Sequence, residues 1–125
     1  MSKQRYVEIN DSVKSTWFIE RIWQLAESLP IEEIPIDQIN GPDEVTWFNV
    51  NGPLPTCREI ALHCKRINEA DLSYPVILTS DYRVFDGMHR IAKKIMMGEH
   101  TIQVRRFRQN PEADEVVELE LERVE

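Results

Sequence analysis

Between Asp86 and Arg90 the chain reads Asp-Gly-Met-His-Arg, which puts a carboxylate, a glycine, an imidazole and a guanidinium within five residues. The run falls between an alternating strand pattern, Tyr82 to Phe85, and an apolar pattern at helical spacing from His89 to Met97. A helix start exposes unpaired backbone N–H groups and the positive end of the helix dipole, so an anion is favoured there. Gly87 lets the backbone take a positive φ and come close to a phosphate, and Arg90 offers a charge-assisted fork to its oxygens. His89 adds a donor, and Met88 contributes its place in the turn. Asp86 would repel the same anion, so its expected work is to cap the helix, orient His89 or meet a metal ion that bridges phosphates. Thr79 and Ser80, in the preceding turn, carry hydroxyls that either stabilise that turn or bond a ligand. The blander reading of the whole run is an ordinary helix start with solvated side chains, because one glycine is far weaker than a full Gly-rich loop.

The elements that must hold this turn are a hairpin and a helix. Pro75 to Thr79 is a short apolar run suited to a buried strand, Ser80-Asp81 a turn, and Tyr82 to Phe85 the returning strand. Gly98 stands where a left-handed C-cap ends the following helix, and Thr101 to Phe107 alternates as a further strand. Upstream, Tyr6 to Ile9 reads as a short strand. Val13, Trp17, Phe18, Ile22, Leu25 and Leu29 recur at helical spacing, which predicts a helix with Asp11 or Ser12 as N-cap and Pro30 at its close. Trp17, Trp23, Trp47 and Phe48 could stack on a base, although Trp17, at helical spacing, is placed on the core face. Ile31 to Ile39 is extended, with Ile34 and Ile36 on one face and Pro35 limiting it to an edge. Turn signals at Asn40-Gly-Pro-Asp43 and Asn51-Gly-Pro-Leu-Pro55 bracket a loop or short element from Glu44 to Val50, whose Trp47-Phe48 pair is suited to lining a pocket. Thr56 and Glu59 form a capping box for a helix with Ile60, Cys64 and Ile67 as its stripe. Val117 to Arg123 alternates again as an acidic edge strand.

Strands interleaved with helices make the fold class α+β, a single domain with a mixed sheet flanked by helices. Its parts are an N-terminal strand/helix extension over 1–30, a core over 31–108 and an acidic strand or tail over 109–125. The run from Pro75 to Ala92, with the helix to Gly98 and the strand Ile102-Gln-Val104, resembles the ParB/sulfiredoxin superfamily over about half the chain, and Ile34-Pro-Ile-Asp-Gln-Ile39 is similar to that domain's first strand. The resemblance implies a small α+β domain whose Gly-x-His-Arg turn holds nucleotide phosphates at a helix start, here Asp86, Gly87, Met88, His89 and Arg90, with Thr79 nearby. Sulfiredoxins carry a catalytic cysteine where Met88 stands, so reduction of an oxidised peroxiredoxin is not expected. Partition ParB proteins bind cytidine triphosphate but follow this domain with DNA-reading and dimerisation segments, for which no room is left after Phe107. The free serine kinase branch is nearer, with its Asp-Gly-His-His-Arg motif and a catalytic glutamate in the turn after the first strand. Glu44 occupies that place and would be the general base on a hydroxyl substrate, with His89 beside the phosphoryl group. The implied cofactor is a nucleotide, ATP, ADP or CTP, together with Mg2+. No metal site of the protein's own is expected.

Composition narrows the classes. The chain has 125 residues, 42% of them hydrophobic and 30% charged, which suits one domain with a modest core. A net charge of −7 opposes a surface built for nucleic-acid phosphates, although Arg105, Arg106 and Arg108 form a local basic cluster. No long apolar run or secretory leader pattern is present, which predicts a cytoplasmic protein with no membrane contact. Cys57 and Cys64 lie two helical turns apart, about 10 Å of rise, too far for a disulfide, and are expected to be buried thiols. The expectation is therefore a ParB-like nucleotide-binding domain acting as a phosphotransferase or nucleotide hydrolase on a small hydroxyl substrate. Its alternative is a non-catalytic nucleotide sensor or protein-interaction module, self-association included. A DNA-partition or nuclease role ranks below both.

Overall fold

The computed structural model describes residues 4–48 and 54–119. Two sheets and three α-helices make up these residues, an α+β architecture. Strand β1 (Arg5–Asn10) pairs antiparallel with β2 (Val13–Phe18), and helix α1 (Ile19–Ala26) follows directly. After β3 (Glu32–Pro35) comes a single 3-10 turn, Ile36–Gln38. Helix α2 (Cys57–Glu69), strands β4 (Val76–Leu78) and β5 (Val84–Asp86), helix α3 (Met88–Met96), β6 (Thr101–Arg106) and β7 (Glu115–Glu118) complete the order.

The first sheet has the order β1-β2-β7 and is antiparallel throughout. The second has the order β3-β6-β4-β5 and is mixed, because β4 and β6 run parallel while β3 and β5 run antiparallel to their neighbours. Pro35 lies in β3, at one edge of that sheet, where its missing N–H breaks no ladder. Helix α3 is the crossover that lets β6 return beside β4.

Strand β4 is buried on both faces, and its alternation divides the core in two. Val76 and Leu78 point into one cluster with Ile36, Ile39, Ile91, Ile102 and Val104. Ile77 points the other way, into a cluster with Trp17, Ile22, Ala26, Phe85 and Phe107. The N-terminal segment thus supplies Trp17, Ile22 and Ala26 to the packing on this face of the central sheet. Tyr6, Trp17, Phe85 and Phe107 meet edge to face there, with ring centroids 4.8 to 5.9 Å apart.

Three expectations need correction. The helix expected from Val13 begins only at Ile19, and Val13–Phe18 is a strand. Asp11 and Ser12 are not its caps: both take positive φ, 49° and 68°, and form the two-residue hairpin turn that folds β2 back on β1. The helix also stops at Ala26, before Pro30. Cys57 and Cys64 are free, but exposed rather than buried. Ile60, expected on the apolar stripe of α2, is likewise exposed, while Ile67 is buried. Other details hold closely. The Thr56 hydroxyl accepts from the Glu59 N–H at 3.1 Å as N-cap of α2, and Gly98 ends α3 with φ of 77°. Tyr82 lies in the turn at φ 65°, so β5 starts two residues later than its pattern implied. The acidic strand expected over Val117 to Arg123 is met only in its first two residues: β7, on the edge of the first sheet, spans Glu115–Glu118, Leu119 is outside it, and residues 120–125 lie outside the described part. So do residues 49–53, which include most of the second turn signal.

Candidate functional site

Strand β5 delivers Asp86 to the edge of the central sheet, and Gly87 turns the chain into α3. Gly87 sits at φ 119°, a conformation that L side chains rarely adopt. A Cβ there would come 2.9 Å from Val76 Cγ2 and 3.2 Å from Val76 Cα, so glycine is required by space as well as by backbone angle. Its carbonyl accepts the Ile91 N–H at 3.0 Å, the first turn of the helix. The amides of Met88, His89 and Arg90 are therefore those that a helix start leaves without an intrahelical acceptor.

Asp86 does not cap this helix, whose N-cap residue is Gly87 with no side-chain cap. Its Oδ2 accepts instead from the Trp23 indole at 2.7 Å and from Arg90 Nη2 at 3.0 Å. The geometric reason is that Arg90 lies one turn along the same helix, and its guanidinium swings back to Asp86 and to the Pro75 carbonyl, 2.7 Å from Nη1. Both side chains of the pair are 18% exposed. The fork expected to face phosphate is thus engaged in tying α3 to β5 and to the segment before β4.

A cleft of about 770 Å³ opens beside this turn. Gly87, Met88, His89 and Arg90 form one side, with Asp86 at its edge, and Tyr6, Trp23, Trp47 and Arg66 stand around them. The Trp47 ring stacks on His89, centroids 4.7 Å apart and planes 17° from parallel. His63 of α2 lies 5.1 Å from Trp47 and 6.1 Å from His89, and Phe48 meets His63 edge-on at 4.9 Å. His89 Nε2 and His63 Nδ1 are buried and, among the described residues, have no hydrogen-bond partner. Burial lowers the pKa of His89 below its ordinary value, and the charges of His63 and Arg66 push the same way while Asp86 opposes them. His89 is therefore a neutral imidazole near pH 7, donor or acceptor but not cation. Burial, reinforced by the hydrogen bond it donates to Glu8, raises the pKa of Tyr6 well above the ordinary phenol range.

Glu44 and Thr79 lie apart from this cleft. Glu44 borders a smaller cavity of about 250 Å³ along α3, together with Phe48, Ile91 and Ile95. Thr46, Trp47 and Met88 line both that cavity and the cleft. The Glu44 carboxylate is exposed and stands 3.9 Å from Arg83. Met88 has its Cε methyl packed against Gly41, where a Cβ would lie 3.1 Å away, so its side chain props the loop that carries Glu44. Thr79 is buried; its hydroxyl donates to Asp81 and accepts the Arg83 N–H at 3.0 Å, which makes it a turn residue. The basic cluster near the end is structural: Arg106 donates to Ser80 and covers the Tyr82 ring, Arg105 donates to the Glu27 and Leu29 carbonyls, and Arg108 pairs with Glu32.

Trp23 was among the aromatic residues expected to be able to stack on a base, whereas Tyr6, His63 and Arg66 were not foreseen at the site. His63 and Arg66 are three residues apart and share a face of α2, a spacing that the helix pattern contained. Nothing local marks the bond from Trp23 to Asp86, which lies 63 residues away. Among the described residues no group of three or more His, Cys, Asp or Glu is placed to hold a metal ion, and no helix is long and apolar enough to cross a membrane. The chain matches no family model, no curated protein and no solved structure.

Proposed function

We propose that the chain is a ParB-like nucleotide-binding domain of the cytoplasm that holds the phosphates of ATP, ADP or CTP at the start of α3. The observation that carries this reading is the 770 Å³ cleft, which opens onto the first residues of α3 and has the exposed Arg66 across from them. The amides of Met88 to Arg90 and the helix dipole supply anion affinity, and Gly87 allows close backbone approach. Arg66 adds the mobile cation that Arg90, tied to Asp86, does not. The charge of Asp86 is balanced by the same ion pair, which removes the main electrostatic objection to a phosphate beside it. Magnesium would arrive on the phosphates, since the described residues build no cage for it.

Phosphotransfer or nucleotide hydrolysis on a small hydroxyl substrate is a second reading. It is favoured by Glu44 bordering a cavity that adjoins the cleft through Trp47 and Met88. Its exposure and its nearness to Arg83 suit a binding module without catalysis equally well.

The test is a thermal-shift series with ATP, ADP and CTP, with and without magnesium, on wild type and Arg66→Ala. A ligand at about a hundred times its Kd stabilises the fold by about 2.7 kcal/mol. Wild type is expected to shift and Arg66→Ala to shift less at equal ligand. Absence of any shift in wild type at millimolar nucleotide overturns the reading. Phosphotransfer requires that nucleotide be consumed only with a hydroxyl acceptor present, and that Glu44→Gln stop turnover while leaving the thermal shift intact.

A further inference from the structure

A second cavity, about 550 Å³, is bordered by the Asp86–Arg90 pair and is in the size range of sites for small organic ligands. Its surface is mostly apolar: Ala26, Pro75 and Ile77 form part of the lining, and two large aromatic residues, Trp23 and Tyr74, stand at it with 40% and 65% exposure. Exposed aromatic faces beside an apolar floor suit a planar ring. Trp23, Asp86 and Arg90 line both this cavity and the cleft at the start of α3, so the two spaces adjoin. Asp86 has one oxygen committed. Oδ2 takes the bonds from Trp23 and Arg90, while among the described residues Oδ1 has no hydrogen-bond partner. An ionised carboxylate oxygen accepts and cannot donate, so it discriminates for N–H or O–H on whatever enters.

Resting on the nucleotide reading above, we infer that this cavity is the base subsite, that the base stacks on Trp23, and that Asp86 Oδ1 selects bases carrying an exocyclic amine. Adenine and cytosine meet that requirement; hypoxanthine and uracil carry a carbonyl oxygen in its place, acceptor to acceptor with the carboxylate, and can offer only the neighbouring ring N–H, which would require the base to sit differently from adenine or cytosine. Trp23 is suited to the task because its indole N–H is fixed by Asp86, which holds the ring in place before a ligand arrives. The unexpected use of Asp86, away from the helix cap, is then what orients the free oxygen. Its two donors lock the carboxylate plane from the protein side.

Isothermal titration of wild type with the magnesium complexes of ATP, ITP, CTP and UTP tests the inference. ATP is expected to bind at least about ten-fold tighter than ITP, and CTP than UTP, the usual worth of one hydrogen bond to a charged group. Asp86→Asn keeps an acceptor oxygen for Trp23 and Arg90 but presents an amide donor at the free position, so the preference should shrink or invert. Trp23→Leu should weaken ATP by a larger factor than it weakens inorganic triphosphate, because only ATP has a base to stack. Circular dichroism melts of both variants establish that they are folded at the temperature of titration. Equal affinity of wild type for amino and oxo bases, or an Asp86→Asn variant that keeps the wild-type ratio, overturns the base assignment and leaves phosphate binding standing. Failure of every nucleotide and of inorganic triphosphate to bind overturns both.

Discussion

Replacing Gly87 by alanine tests whether the turn before α3 is as constrained as its geometry states. Two costs add. An L residue held at φ 119° is outside its favourable regions, which costs about 1–2 kcal/mol by the left-handed standard. The new methyl would also lie 2.9 and 3.1 Å from the two Val76 methyls and 3.2 Å from Val76 Cα. Val76 is fully buried in the central strand and cannot retreat, so overpacking adds about 1–3 kcal/mol. The expected loss is about 2–5 kcal/mol, a large share of the 5–15 kcal/mol typical of a small domain. Gly98→Ala is the control. It has φ of 77° and nothing within 4 Å of a new Cβ, so only the backbone cost applies, about 1 kcal/mol. Urea unfolding followed by circular dichroism measures both, with the slope checked for constancy. A Gly87→Ala variant that loses no more than Gly98→Ala refutes the steric half of the reasoning. A Val76→Ala partner mutation gives a second check, since the pair should couple by at least about 1 kcal/mol in the direction of relief.

Arg90→Ala should destabilise by about 1–3 kcal/mol, because it strips donors from the Pro75 carbonyl and leaves Asp86 unpaired; the same denaturant curves measure it, and Arg90→Lys should recover part of the loss. Acid should weaken the fold through His89. Its folded pKa lies below the unfolded value of 6.5, so the unfolded chain binds more protons as pH falls; the stabilisation is fully present above 6.5 and is lost on titrating downward through the window between the two values. Melting temperatures from neutral to acidic pH should therefore decline less steeply in His89→Phe, which keeps a ring against Trp47, and equal slopes would contradict this. Ser12→Gly should raise stability by about 0.5 kcal/mol in the same melts, as relief of the left-handed cost outweighs the entropy added to the unfolded chain.

What could be read along the chain was whatever depended on neighbours a few residues apart. The central hairpin, α3 and its Gly98 end, the Thr56–Glu59 cap and the edge position of β3 all rest on local rules, and all stand in the fold. The stretch Val13 to Leu29 failed for a definable reason. Its apolar residues satisfy helical spacing only by joining a strand to a helix, since Trp17 and Phe18 lie on opposite faces of β2 while Ile22 belongs to α1. The deciding signal was the pair Asp11-Ser12, which suits an N-cap and a tight hairpin turn alike. Pairing with β1 settled it, and that pairing is a tertiary fact. Cys57 and Cys64 failed similarly, because the α2 stripe on which they were placed turned mostly to solvent, leaving Ile67 to make its buried contact.

The same division explains the candidate site. Gly87 was legible because the demand for positive φ is local, whereas the work of Asp86 and Arg90 was not. A carboxylate four residues before a guanidinium at a helix start satisfies two designs, a cap with a free cation or an internal ion pair. Which one forms depends on what stands beside the carboxylate. Here that is Trp23, brought from α1 by the packing of Trp17, Ile22 and Ala26 under the sheet. Because the indole and the Arg90 guanidinium both donate to Oδ2, Asp86 is engaged with them and does not cap α3. On the proposed nucleotide reading, phosphate would then meet the backbone and Arg66 rather than the Arg90 guanidinium, so that a mutation at Arg66 should alter affinity and one at Arg90 should alter the fold.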